Sequence, residues 1–117
     1  MVRIQIDVDL SEFRPTTERA KRELRSRAKH LTRLLGYRLE ALMKRSHRQG
    51  GTCPVVTGRL QSSIEPTFLK DLQVDVGPHT DYAEKVNKTY RFVEKAGDAL
   101  KPEVDKLKDQ AFKGWGE

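Results

Sequence analysis

Of the 117 residues, one is cysteine (Cys53), one is tryptophan, and aromatic residues make up only 7% of the chain. A single thiol closes no internal disulfide, which excludes a disulfide-stapled scaffold and points to assembly in a reducing compartment. No apolar run approaches the roughly 18 residues that a membrane span requires, so no membrane partner is expected. The opening MVRIQIDVDL alternates apolar with polar residues and has no continuous apolar stretch, so no export by a cleaved signal is expected either. The length fits one domain over residues 1–117, able to bury about two thirds of its unfolded surface. Multidomain enzymes and doubly wound dinucleotide folds do not fit in it.

What the chain has instead is charge. Charged residues make up 34% and hydrophobic ones 36%, with 23 Lys+Arg against 17 Asp+Glu and a net charge of +6. Residues 1–50 hold 13 basic and 6 acidic residues, an excess of +7, whereas residues 51–117 hold 10 and 11, an excess of −1. Between Arg14 and Arg48 lie 12 basic residues, and the only acids are Glu18, Glu23 and Glu40. This is not a disordered composition, because Val, Ile, Leu, Phe and Tyr recur with clear periods.

Val2, Ile4, Ile6, Val8 and Leu10 alternate with Arg3, Gln5, Asp7 and Asp9, the period of a strand with one buried face. Thr16-Thr17-Glu18 then offers a hydroxyl cap and a first-turn acid, as helix starts do. Ala20, Leu24, Ala28, Leu31, Leu35, Leu39 and Leu42 follow at spacings of 3 and 4, on one helix face. The pattern predicts a helix from about residue 17 to residue 47, about 46 Å long at about 1.5 Å per residue. Such a helix is longer than the core of so small a domain would cover. Gln49-Gly50-Gly51 is read as its stop, since glycine takes the left-handed conformation of a C-terminal cap.

A loop through Cys53 and Pro54 leads to a capped turn or short helix over residues 57–64. Two strand-like segments, 64–69 and 72–76, then meet across Lys70-Asp71 as a hairpin, and Gly77-Pro78 closes the second. Tyr82-Ala83 opens a segment whose type the pattern leaves open. Phe92, Ala96, Leu100, Val104, Leu107 and Ala111 describe a C-terminal helix that Gly97 weakens and Pro102 kinks or restarts. The predicted class is α+β: an N-terminal strand, one long basic helix, a small antiparallel sheet with a hairpin, and a C-terminal helix.

Residues for chemistry are not grouped. His30 and His47 are 17 positions apart and His79 stands alone, so no pair has ligand spacing; with one cysteine in the chain, neither a metal site nor a cofactor is expected. Ser62 and Ser63 follow Thr57-Gly58-Arg59 rather than the Gly-x-Ser-x-Gly turn of hydrolases, and Cys53 reads as an unpaired loop thiol. Gly50, Gly51, Gly58 and Gly77 form no phosphate loop. No enzyme is expected.

The basic helix carries two readings. Arg19, Arg22, Arg25, Lys29 and Arg33 are candidates either for phosphate contacts in a small nucleic-acid-binding module or for contacts with another subunit. Few aromatics interleave with the charges and no recognition-helix motif is visible, so base readout is not indicated.

One stretch of the chain is recognisable. Pro54-Val55-Val56-Thr57-Gly58-Arg59-Leu60-Gln61-Ser62-Ser63-Ile64, then Val74-Asp75-Val76-Gly77-Pro78, then Tyr82-Ala83, then Arg91-Phe92 and Ala96 stand in a characteristic order. Over about residues 54–96 the chain resembles the gene-ten-like tail-component family of tailed bacteriophages. That family reads Pro-x-x-Thr-Gly-x-Leu-x-x-Ser-Ile, a strand ending in Val-Gly, a Tyr-Ala, and an Arg-Pro-Phe leading into the last helix. The residues carrying the resemblance are Thr57, Gly58, Arg59, Leu60, Ser63, Ile64, Gly77, Tyr82, Ala83, Arg91 and Phe92. Their types suit a fold role: a hydroxyl cap at Thr57, a tight backbone at Gly58, and Leu60 and Ile64 on one side of a turn. Two departures stand out: Glu-x-Gly-Thr after Tyr-Ala is absent, and Tyr90-Arg91-Phe92 replaces Arg-Pro-Phe. The stretch between Tyr82 and Arg91 is therefore expected to be shortened or remade as helix.

The resemblance implies a virion structural protein at the head-tail junction, assembled in the host cytoplasm, that completes the tail or joins it to the head. Its implied partners are further copies of itself, other neck proteins, the tail tube or head connector or stopper, and the genomic DNA passing through the channel. Tail symmetry suggests a homo-oligomer of six copies, with twelve as the other count. Ring assembly would cover the spare apolar stripe of an overlong helix. It would also set a +7 half against a −1 half in head-to-tail contacts.

Overall fold

The computed structural model describes residues 3–10, 13–14, 16–45, 59–80 and 83–112, with the backbone alone at Arg59, Gln61, Thr89 and Tyr90. The N-terminal alternation forms strand β1 (Ile4–Asp7), shorter than the pattern that announced it. A bond from the Val8 amide to the Leu72 carbonyl carries the pairing one step further. Helix α1 (Glu18–Lys44) starts where the sequence predicted, with the Ala20 amide donating to Thr17 Oγ1 at 3.0 Å. A five-residue helix α2 (Arg59–Ser63) leads into the hairpin of β2 (Glu65–Lys70) and β3 (Gln73–Gly77), which turns at Asp71-Leu72. Helix α3 (Ala83–Tyr90) follows, then α4 (Phe92–Leu100), a 3₁₀ turn over Lys101–Glu103 containing Pro102, and α5 (Val104–Ala111).

The strands form one antiparallel sheet in the order β1-β3-β2. Its register places Ile4 opposite Val76 and Ile6 opposite Val74, with Pro66 and Phe68 completing the same two rows on β2. This apolar face packs on α1. The class is α+β, as the sequence patterning indicated.

Where α1 and the sheet meet, Gly36 sets the distance. A Cβ built there would lie 3.1 Å from Val74 Cγ2 and 3.5 Å from Phe68 Cε1, so only a glycine lets the central strand come this close. Thr32, buried on the same face, donates its hydroxyl to the Ala28 carbonyl at 2.9 Å and brings no unmet polar group into the core.

Two expectations about α1 are corrected. It ends at Lys44, with Arg45 extended, and not near residue 47; the proposed glycine stop lies outside the described residues. Met43 is the last buried apolar residue of the stripe, and the next six positions, Lys44 to Gln49, are all polar, so further turns would have nothing to bury. The apolar stripe is also not left over for a neighbour. From Leu24 to Met43 it is buried by the chain itself, and only Ala20, its first member, is half-buried. The reason is Pro102, which restarts the C-terminal helix and lets α5 turn back along α1. Arg38 holds Glu103 at the start of α5 (2.7 and 3.0 Å), and Arg27 donates to the Ala111 carbonyl at its end (3.3 Å). Phe13, just before α1, stacks on Phe112 with centroids 5.5 Å apart.

Gly97 of α4 also faces a neighbour, Ile4 Cδ1, 2.9 Å from a built Cβ. The two glycines answer differently to alanine. At position 97 the obstacle is the end of a half-buried, rotatable side chain, so Gly97→Ala should raise stability by about 0.5–1 kcal/mol through helix propensity. At position 36 the obstacle is a fully buried valine on the central strand. Gly36→Ala should therefore lower stability by about 1 kcal/mol, the overpacking outweighing the propensity gain. Urea unfolding of both variants measures this.

The Arg38–Glu103 pair also fixes a pH dependence. Hydrogen bonding from Arg38, with the charges of Arg38, Lys106 and Arg45 adding to it, lowers the Glu103 pKa from its ordinary value. A lowered carboxylate contributes stability above its unfolded-state value, and that contribution is lost as pH falls through the folded value. Stability should therefore drop below about pH 4.5, the ordinary range for glutamate. Glu103→Gln should be less stable than the parent near neutrality and should flatten this acid limb, converging with the parent in strong acid.

Candidate functional site

Three groups of residues were picked out by the sequence or are assembled by the fold: the motif residues, the arginines of α1, and an exposed patch between α1 and the hairpin. The motif residues become scaffold. Leu60, Ile64, Ala83 and Phe92 are buried in the same core cluster as Leu39, Met43, Val76 and Ala96. Ser63 donates its hydroxyl to the Leu60 carbonyl at 2.7 Å and accepts from the His79 amide at 3.2 Å, tying α2 to the chain that leaves β3. Gly77 is the last residue of β3, opposite Glu65. Thr57, Gly58 and Tyr82 lie outside the described residues, and Arg59 is described only as the first residue of α2.

The stretch that departs from the family pattern is remade as helix α3, one of the two outcomes expected for it. It ends in a sharp corner at Arg91, whose φ of 52° is the one positive value among the described non-glycine residues. Asn87 holds that corner from within. It is buried, its Oδ1 accepts from the Val93 amide at 2.9 Å, and its Nδ2 donates to the Glu94 carboxylate at 2.9 Å. It thus serves the first turn of α4, where Arg91 supplies no side-chain cap. A proline could not take this position, because its ring fixes φ near −65°.

The α1 candidates are all exposed. The two acids among them are engaged elsewhere, Glu18 by Lys21 at 3.2 Å and Glu23 by Arg27 at 3.1 Å. Arg19, Arg22, Arg25 and Arg33 therefore have no side-chain partner among the described residues. In the second half of the chain several acids are matched: Asp75 by Arg3, Asp98 by Lys101 and Glu103 by Arg38, and Glu65 lies 3.3 Å from His79 Nε2.

Lys29 and Arg33 are drawn apart from the other candidates into an open cleft of about 430 Å³. Tyr37 of α1, Phe68, Leu69 and Lys70 of β2, and Asp71 of the turn line the rest of it. The Tyr37 and Phe68 rings meet at 5.7 Å with a tilt of 53°. Lys29 Nζ is 3.8 Å from Asp71 Oδ1, leaving Arg33 and Lys70 as the cations of the rim without an acid beside them in this cleft. Sequence reading missed Tyr37, Phe68, Leu69 and Lys70. The signal was there: Tyr37 falls off the apolar stripe of α1, and Phe68-Leu69 breaks the alternation of a strand.

The outer face of the sheet is polar and internally satisfied. Arg3, with its side chain only 9% exposed, donates to Asp75 Oδ2 at 2.6 Å and reaches Thr67 Oγ1 at 3.2 Å, spanning all three strands. Gln73 donates to Asp7 at 2.6 Å; that bond, with a second from Gln5, lowers the Asp7 pKa. Among the described residues no group of three His, Cys, Asp or Glu is placed to hold a metal ion, and no helix is long and apolar enough to cross a membrane.

No family model matches the chain, and no curated protein or solved structure matches it significantly. The corner at Arg91 gives the motif region its measurable signature. Placing the family's proline there, Arg91→Pro, should cost at least about 3 kcal/mol, since it forbids the φ and removes the Arg91 amide bond to the Asn87 carbonyl. Asn87→Ala should cost about 2 kcal/mol by stranding the Val93 amide. Denaturant midpoints of the two variants against the parent test both.

Proposed function

We propose that this chain is a structural subunit of a tailed-phage neck, acting at the head-tail junction in tail completion or head-tail joining. One observation carries the reading. Of the residues that resemble the tail-component pattern, those described follow one another from the short helix through the hairpin to the C-terminal helices, and four of them, Leu60, Ile64, Ala83 and Phe92, converge in one buried cluster. A motif used for packing suits a protein whose work is contact rather than reaction.

The partners proposed for it are further copies of itself, six by tail symmetry, together with neighbouring neck or tail-tube proteins and the DNA threading the channel. The arginines along α1 that have no side-chain partner among the described residues support a role at charged surfaces. The covered apolar stripe removes one argument made from the sequence, so assembly has to rest on other surfaces than the buried face of α1.

Deleting the gene from the phage genome that carries it should give DNA-filled heads and tails that remain unjoined or overlong by electron microscopy, with complementation restoring complete virions. Normal, infectious virions after deletion would overturn the proposal.

A further inference from the structure

We infer that the Tyr37–Phe68–Leu69 cleft is the seat of a short acidic protein segment anchored by a large apolar side chain. Among the described residues the exposed large hydrophobics are Tyr37, Phe68 and Leu69, at 56%, 39% and 51% exposure. Single exposed apolar side chains are ordinary on a protein surface. Here all three line one cleft although they come from two elements, so their exposed surface is contiguous rather than scattered.

The fold holds this surface open. Gly36 draws the sheet onto α1 and seats Phe68 against the helix, so the Tyr37 and Phe68 rings lean together at the rim instead of closing over one another. Beside them the ladder is irregular between Phe68 and Lys70, where Leu69 is the extra residue.

Three properties select the occupant. The rim holds Lys29, Arg33 and Lys70 against one acid, Asp71, which calls for carboxylates on the partner. The apolar part is small: at about 200 Å² per large side chain the exposed fractions leave about 300 Å², room for one anchoring side chain of a segment and well short of the roughly 800 Å² in total that each partner of a standard interface buries. The geometry disfavours nucleic acid, which binds through open aromatic faces along a track of cations. Here the two rings meet each other, Leu69 offers no ring face, Asp71 sits in the cleft, and Arg19, Arg22 and Arg25 lie outside it. Recognition runs through side chains: β2 is an edge strand, but Pro66 and the irregularity at Leu69 interrupt it as a template for another strand.

The inference goes beyond the neck reading by naming a surface and its partner's chemistry, and it stands or falls separately from the gene-deletion result. The full chain is used to select from a random dodecapeptide library, and the selected peptides are titrated by fluorescence anisotropy. Selected peptides should carry net negative charge and a Trp, Phe or Leu. Their affinity should fall about tenfold or more in Leu69→Ser and in Arg33→Glu, as loss of an anchor or a matched charge implies. Arg22→Glu, outside the cleft, should leave it within about twofold. Both cleft residues are exposed, and thermal melts matching the parent confirm that the variants are folded. Selection of peptides without acidic bias, or equal binding to the parent and both cleft variants, would overturn the inference. So would oligothymidine binding tighter than the peptides and lost in Arg33→Glu, which would assign the cleft to nucleic acid.

Discussion

The rest of the structure depends on the close approach of α1 to the central strand at Gly36. Val74 lies against a position where no side chain intervenes, and this brings the whole inner face of the sheet, Ile4, Ile6, Val74, Val76 and Phe68, within reach of one helix. A domain of this size has one core, and here it is gathered around that helix. The chain ahead of α1 and the C-terminal helices then close on the same spine, the former through the Phe13–Phe112 stack and the latter through Arg27 and Arg38.

This arrangement separates the work of the two sides of α1. Its inner face is given over to burial and, from Leu24 to Met43, is completely used by the chain itself. Its outer face keeps its cations because the nearby acids are matched elsewhere: Glu18 and Glu23 pair within the helix, and Glu103 is held by Arg38. The polarity counted in the sequence is thus real on the basic side. In the second half of the chain Asp75 is paired with Arg3 and Asp98 with Lys101.

The functional reading follows the same division. Leu60, Ile64, Ala83 and Phe92 sit inside, so these motif residues serve the packing of the chain. The surface offered to a partner comes from residues outside that stretch, Lys29, Arg33 and Tyr37, joined by Phe68, Leu69 and Lys70 within it but outside its motif. The buried motif residues and the cleft are therefore separate features of the molecule, held together by the one helix that carries both the core stripe and the cleft wall.

The α+β class, the capped start of α1 at Thr17, the hairpin and the break at Pro102 were all legible in the chain. Each rests on local chemistry: a period of two or of 3.6, a hydroxyl beside free amides, a ring that blocks a helix. The end of α1 was misread because the glycines looked like a stop, while the helix had already run out of apolar residues at Met43. The corner at Arg91 was not legible either, since its positive φ is set beside tertiary contacts, the bonds of buried Asn87 to Val93 and Glu94, that no local pattern announces. By itself, the sequence determined the elements and which face of each is apolar. Only the tertiary structure decided that α5 folds back to cover α1 and that Tyr37 meets Phe68 beside Lys29 and Arg33. Those meetings join residues far apart along the chain: the close approach at Gly36 sets Phe68 against α1, and the bonds from Arg27 and Arg38 hold α5 along it, and no local pattern encodes either.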